Sequence, residues 1–210
     1  RTLFHSDGVQ AYGKIPFKLC KEVDMYSVSA HKIGGLKGVG GLIKRKTLAL
    51  PVYLYGGGQE GGKRSGTENV FGIKVFEYAA EKKFSTIRKD FERMKELRET
   101  LWSRLDKEIF IRITAENGTP YILSVAAKGL RGEILLHMAD DKGLMIGTGS
   151  ACSSNAKNRY SRVVLACGYE EATADGFLRI SFSPETTAEE IENAATILNE
   201  IARDLQKRTA

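Results

Sequence analysis

A chain of 210 residues with 42% hydrophobic and 28% charged residues has the length and composition of one globular domain or two small ones. Its apolar stretches fall far short of a membrane span, no signal-peptide pattern opens it, and its three cysteines have no spacing that suits a disulfide framework or a zinc site. The net charge of +6 is mild and interleaved with acids, as in Lys82 to Arg104, which reads as a solvated helix face rather than a nucleic-acid patch and leaves room for anionic cofactors or acidic partners.

Short strands are expected first, at Leu3 to Val9 around Asp7-Gly8, at Asp24 to Ser29 ending in the His31-Lys32 turn, and at Val39 to Ile43 after a glycine-rich bend. The opening Arg1-Thr2-Leu3-Phe4-His5 reads as the lead-in to a strand, as in a piece of a longer protein. Gly56 to Thr67 is so rich in glycine that it must be a loop. From Ile73 to Lys107 neither glycine nor proline occurs. Apolar residues there recur at Phe76, Ala80, Phe84, Ile87, Phe91, Met94, Leu97, Leu101 and Leu105, which predicts one long helix, or two nearly in line, connecting domains. Further strands are predicted at Phe110 to Ile113, Tyr121 to Ala127 and Phe177 to Phe182, and helices at Gly132 to Asp140 and Tyr160 to Cys167. A last helix opens on the capping box Thr187-Ala188-Glu189-Glu190. Cys20 and Cys167 sit in apolar-patterned segments and are expected to pack in the core.

A few residues stand out for their chemistry. Cys152 lies in Gly147-Thr148-Gly149-Ser150-Ala151-Cys152-Ser153-Ser154-Asn155, where nothing apolar would bury it, so it is either a reactive thiol or an incidental cysteine in a glycine-rich turn. Lys32, beside His31 and Ser29 at a strand end, is either a Schiff-base former or an ordinary surface lysine. Asp7, at the end of the first strand, could pair with a protonated ring nitrogen or simply cap a turn. Arg179 lies within the apolar Phe177-Leu178-Arg179-Ile180-Ser181-Phe182, where a guanidinium needs a carboxylate, from a ligand or from an internal salt bridge. Gly57 through Lys63 approaches a nucleotide-binding loop, but Arg64 stands where a magnesium-binding Ser or Thr is required.

Taken in order, Asp7-Gly8-Val9-Gln10, Ser29-Ala30-His31-Lys32 with Gly35-Leu36-Lys37-Gly38, Gly56-Gly57-Gly58-Gln59-Glu60 with Arg64-Ser65-Gly66-Thr67, Gly149-Ser150-Ala151-Cys152-Ser153-Ser154 and Leu178-Arg179-Ile180-Ser181-Phe182 resemble the class V, fold-type I pyridoxal-phosphate enzymes. Within them the chain is most similar to the cysteine desulfurases of the NifS/IscS type. The resemblance implies an α/β fold: the C-terminal part of a cofactor-binding large domain (1–88), with the long linking helix leading into a small α/β domain that carries the cysteine loop (89–210). It implies pyridoxal 5'-phosphate held by Lys32 as a Schiff base, Asp7 on the pyridinium nitrogen, Gln10 on the ring hydroxyl, and Ser29 and His31 on the phosphate. His31 would also serve the catalysis. Thr67 would reach the phosphate of a neighbouring subunit in a homodimer, Arg179 would clamp the substrate carboxylate, and Cys152 would take the sulfur of L-cysteine as a persulfide and release alanine.

Sulfur acceptors or iron–sulfur scaffold proteins would be the partners, in the cytoplasm. The family pattern has alanine at Gly8 and proline at Leu36, so both departures are expected to loosen turns. It also begins with a further segment about as long as this chain. That segment carries a phosphate-binding turn, a ring-stacking histidine and an asparagine, so the chain alone is expected to expose apolar sheet and bind cofactor poorly. A non-catalytic sulfur-carrier or scaffold-docking fragment, and a related enzyme such as a selenocysteine lyase or aminotransferase, are the alternative readings.

Overall fold

The computed structural model describes residues 2–115, 117–149 and 160–209. The chain divides into two compact units, residues 1–90 and 91–210.

The first unit is built on a three-stranded sheet in the order β1 (His5–Asp7), β2 (Met25–Ser29), β3 (Gly40–Lys44). β1 runs parallel to β2, with Asp7 opposite Ser27, and β3 runs antiparallel to it, with Gly40 opposite Ser29. The period of two in β2 buries Tyr26 and Val28 on one face and turns Met25, Ser27 and Ser29 to the other. Asp24, 4% exposed, ties the three strands at one end. Its carboxylate accepts the Phe4 N–H ahead of β1 at 3.0 Å and Arg45 Nε just beyond β3 at 2.9 Å. The first strand is shorter than expected because the chain coils at Gly8, whose carbonyl accepts the N–H groups of Ala11 and Tyr12.

The glycine-rich stretch is a loop with one four-residue turn, α1 (Gln59–Gly62). Glu60 (φ 52°) and Gly61 (φ 62°) inside it are left-handed, so it is no regular helix. An isolated bridge between Leu54 and Arg64 closes the loop, and the Ser65 hydroxyl donates to the Tyr55 carbonyl.

α2 (Val70–Arg104) is a single 35-residue helix. Asn69 caps it by accepting the Gly72 N–H at 2.9 Å. In the first unit its Phe76 and Phe84 receive the ring of Tyr12 edge-on, at centroid distances of 6.0 and 5.0 Å. In the second unit its Met94, Leu97 and Leu101 are buried, as is Leu105 just beyond its end. There they meet an antiparallel sheet in the order β4 (Phe110–Arg112), β5 (Ile122–Ala127), β6 (Phe177–Ser181). α3 (Gly132–Asp141) and α6 (Ala188–Thr209) complete this core through Leu135, Ala139, Ile191, Leu198 and Ile201.

The capping box of α6 forms as expected: Glu190 N–H donates to Thr187 Oγ1 at 3.1 Å, and Thr187 N–H donates to Glu190 Oε2 at 2.7 Å. Two short helices, α4 (Arg162–Ala166) and the unanticipated α5 (Glu171–Asp175), enclose a smaller cluster of Val164, Ala174 and Phe177.

Among the described residues both buried apolar clusters lie in the second unit. The first unit leaves every residue of β3 exposed, together with Phe4, Tyr53 (88%) and Phe71 (73%).

The expectation that Cys20 and Cys167 pack in the core is wrong: both are free and exposed. Cys167 follows a single-turn helix that buries only Val164, and Cys20 follows the exposed Phe17 and Leu19.

Candidate active site

Lys32 stands in a short 3-10 turn, Ala30–Ile33, that leaves the end of β2. Ala30 and Ile33 are buried and Gly34, at φ 93°, stops the turn in the left-handed region, so His31 and Lys32 are forced outward. The Ser29 hydroxyl and His31 Nδ1 lie 2.8 Å apart, a hydroxyl–imidazole pair able to donate to an anion at the strand end.

Asp7 closes β1 next to this turn, since its register partner Ser27 precedes Ser29 on the same face of β2. Asp7 Oδ1 accepts the Val9 N–H at 2.9 Å. That bond fixes the side chain, and Oδ2 has no other hydrogen bond among the described residues. His5, on the same face of β1, pairs with the Ser27 hydroxyl at 2.7 Å.

Gln10 follows in the coil after β1 and accepts a hydrogen bond from Lys14 Nζ at 3.0 Å. The Lys14 ammonium is held below the ordinary lysine range, first by burial and then by Lys32 and Lys83. Asp7, Gln10, Ser29, His31 and Lys32 thus gather at one end of the β1–β2 pair. Thr67 is exposed in the loop ahead of α2.

Gly8 is not a loosened turn. Its amide donates to the Ser27 carbonyl at 2.9 Å, and the Tyr26 hydroxyl donates to the Gly8 carbonyl at 3.3 Å. A Cβ at Gly8 would lie 1.7 Å from Tyr26 Cζ, so the tyrosine ring takes the space an alanine methyl would need. Burial first, then the charge of Asp7, raises the Tyr26 phenol above its usual value. Leu36 is exposed and meets no such constraint.

Arg179 belongs to the second unit. It lies in the middle of β6, half-buried between apolar Leu178 and Ile180. Its backbone pairs with Gly147 on one side, through bonds of 2.9 and 2.6 Å, and with Ser124 of β5 on the other. No carboxylate partners its guanidinium among the described residues, so the internal salt bridge considered above is absent from them. Gly147 begins the segment that runs on to Cys152, and Cys152 itself lies outside the described residues.

A cleft of about 270 Å³ in the first unit, lined by Leu19, Cys20, Asp24, Ile43 and Arg45 among others, includes none of the predicted site residues. Among the described residues no group of His, Cys, Asp or Glu could hold a metal ion, and no helix is long and apolar enough to cross a membrane.

The residues present in the first unit fit a phosphorylated pyridine cofactor. They offer a carboxylate for a ring nitrogen, an outward amine, an amide, and a hydroxyl–imidazole pair for a phosphate. Sequence reasoning passed over Lys14 and Tyr26. The signal for Lys14 was its i,i+4 spacing from Gln10. Tyr26 carried none, because its partner Gly8 is distant in sequence.

The aminotransferase class-V family matches residues 1–194. A Gluconacetobacter diazotrophicus protein named cysteine desulfurase is 36% identical over 210 residues, covering 98% of this chain and 52% of that protein. The cysteine desulfurase IscS of Dictyoglomus turgidum is likewise 36% identical, covering 97% and 52%. A solved structure of a NifS-like protein superposes with a TM-score of 0.86 at 36% identity, over 97% of this chain and 53% of that one. The chain therefore spans about half the length of the relatives it matches. A family match that runs through both units, and a backbone shared with a NifS-like protein, make this chain a member of the aminotransferase class-V family with the α/β, fold-type I architecture.

Proposed function

We propose that this chain carries the lysine- and cysteine-bearing portion of a pyridoxal 5'-phosphate-dependent cysteine desulfurase. The enzyme converts L-cysteine to L-alanine and retains the sulfur as a persulfide on Cys152. The observation that carries this reading is the gathering of Asp7, Ser29, His31 and Lys32 at one end of the β1–β2 pair, with Lys32 held outward by its buried neighbours. The names of the relatives support the same reaction.

When bound, the cofactor supplies the electron sink that loosens bonds at the substrate α-carbon. Lys32 is the residue that would hold it covalently and move a proton at its Nζ. Asp7 would keep the ring nitrogen protonated. Gln10 would meet the ring hydroxyl, and Ser29 with His31 would bind the phosphate. Thr67 would reach the phosphate of a second subunit in a homodimer. Arg179 would orient the substrate through its carboxylate, with two parallel N–H donors. The Cys152 thiolate would form the new S–S bond as the substrate's C–S bond breaks, and then deliver the sulfur to an acceptor or iron–sulfur scaffold protein in the cytoplasm.

The relatives are about twice this length. The exposed third strand of the first sheet is where further polypeptide, in the same protein or another, would pack. The reading is tested by titrating the chain with pyridoxal phosphate, alone and with the remaining segment of a relative added. Visible absorption, borohydride reduction and mass mapping of the modified lysine are the readouts. The expected result is an adduct at Lys32 that disappears in Lys32→Ala. No adduct under either condition would end the proposal. Cys152→Ser should keep the adduct and lose sulfur transfer, whereas an aminotransferase would keep its activity.

A further inference from the structure

We infer that Lys14 is a positioning residue of the cofactor site: it orients the Gln10 amide so that the NH₂ group, and not the carbonyl, is turned to the ring oxygen. The inference rests on the proposed function above. Residues 8–15 form a helical coil, in which the Gly8 carbonyl accepts from Ala11 and Tyr12 and the Ala11 carbonyl accepts from Lys14 and Ile15. One turn therefore separates Gln10 from Lys14 and brings their side chains to the same face. Lys14 Nζ lies 3.0 Å from Gln10 Oε1. An ammonium has three donors and no acceptor, so it can bond only to the amide oxygen. The amide is planar, and its NH₂ must then point away from Lys14.

The coil itself is held firmly. Tyr12 is wedged against Phe76 and Phe84, and Gly13, at φ 69°, packs so close to Ile33 that a Cβ would lie 2.9 Å from Ile33 Cγ2. Ile33 is the neighbour of Lys32, so the turn that carries Gln10 and Lys14 rests on the turn that carries the cofactor lysine. Lys14 stays half-buried despite the like charge of Lys32 and Lys83, where an unrestrained lysine would swing into water. An NH₂ presented in this way donates to a deprotonated ring oxygen. A flipped amide would set its own carbonyl against that oxygen.

The test compares wild type, Lys14→Met, Lys14→Arg, Gln10→Ala and the Lys14→Met/Gln10→Ala double variant for pyridoxal phosphate binding and for the position of the visible band. Methionine keeps the apolar stem, so folding is not at stake. Lys14→Met is expected to weaken binding roughly tenfold and to shift the band, as loss of one charge-assisted hydrogen bond would. Lys14→Arg should restore both. In the Gln10→Ala background Lys14→Met should do nothing more, because Lys14 acts through Gln10. Additive losses, or a Lys14→Met variant indistinguishable from wild type, overturn the inference while leaving the proposed function standing. A wild-type chain that forms no adduct at Lys32 under either condition overturns both.

Discussion

Gly8 and Tyr26 form a matched pair. A methyl at position 8 would meet the tyrosine ring at 1.7 to 2.3 Å, far inside contact distance, and the ring is buried and cannot move aside cheaply. Gly8→Ala should therefore destabilise the first unit by about 3 kcal/mol. Tyr26→Leu in the same chain should return most of that loss. Urea unfolding followed by circular dichroism would show it, and additive losses would contradict the pairing. Arg98 is a second residue whose worth depends on burial. It is 3% exposed and donates to the Gly118 and Thr119 carbonyls and to Glu99. Arg98→Met leaves those two carbonyls without their donor and should cost the second unit about 2 kcal/mol in the same assay.

At the scale of elements, the N-terminus of α6 and the join of α2 to β4 each make a measurable claim. Thr187→Ala removes the acceptor for the Glu190 N–H and should cost about 1 kcal/mol of thermal or chemical stability. Between α2 and β4, Glu99 takes a two-bond clasp from Arg112, at 2.7 Å each, and a further bond from Arg98. The Arg112 hydrogen bond, ahead of the other causes, holds the Glu99 carboxyl below its usual range. A pKa lowered by folding contributes stability that is present above the unfolded glutamate value of about 4.3 and is lost as pH falls through the folded one. Unfolding free energy of the wild type should therefore fall more steeply below about pH 4.3 than that of Glu99→Gln. The difference will be modest, since the Glu99 side chain is 44% exposed. Parallel acid limbs for the two proteins would refute the assignment.

The two units are built to different depths. The second has a continuous core through Met94, Leu101, Phe110, Leu123, Leu178 and Leu198, while β3 of the first is exposed along its whole length. Amide exchange should accordingly be slowest at Leu123 to Ala127 and Leu178, and faster along Gly40 to Lys44. Hydrogen-exchange mass spectrometry checks this directly, and equal protection of β3 and β5 would show that the first sheet is covered in solution. Such cover is the role proposed for further polypeptide.

Much of this was legible in the residues themselves. The period-two pattern of β2, the glycine-free run of α2 and the Thr187–Glu190 box are local signals, because strand alternation, helix periodicity and capping each depend on residues only a few positions apart. The ordered motifs around Asp7, Ser29-His31-Lys32 and Arg179 were legible for the same reason. Local pattern could not say which half of a regular element finds cover. The apolar stripe of α2 buries Met94 and Leu101 but leaves Phe84 exposed, and Cys20 and Cys167 look like core residues until the chain offers nothing to pack on them. Nor could it pair Gly8 with Tyr26, or Asp24 with Phe4 and Arg45. Those contacts join residues about twenty positions apart, and only the assembled sheet brings them within van der Waals or hydrogen-bond reach.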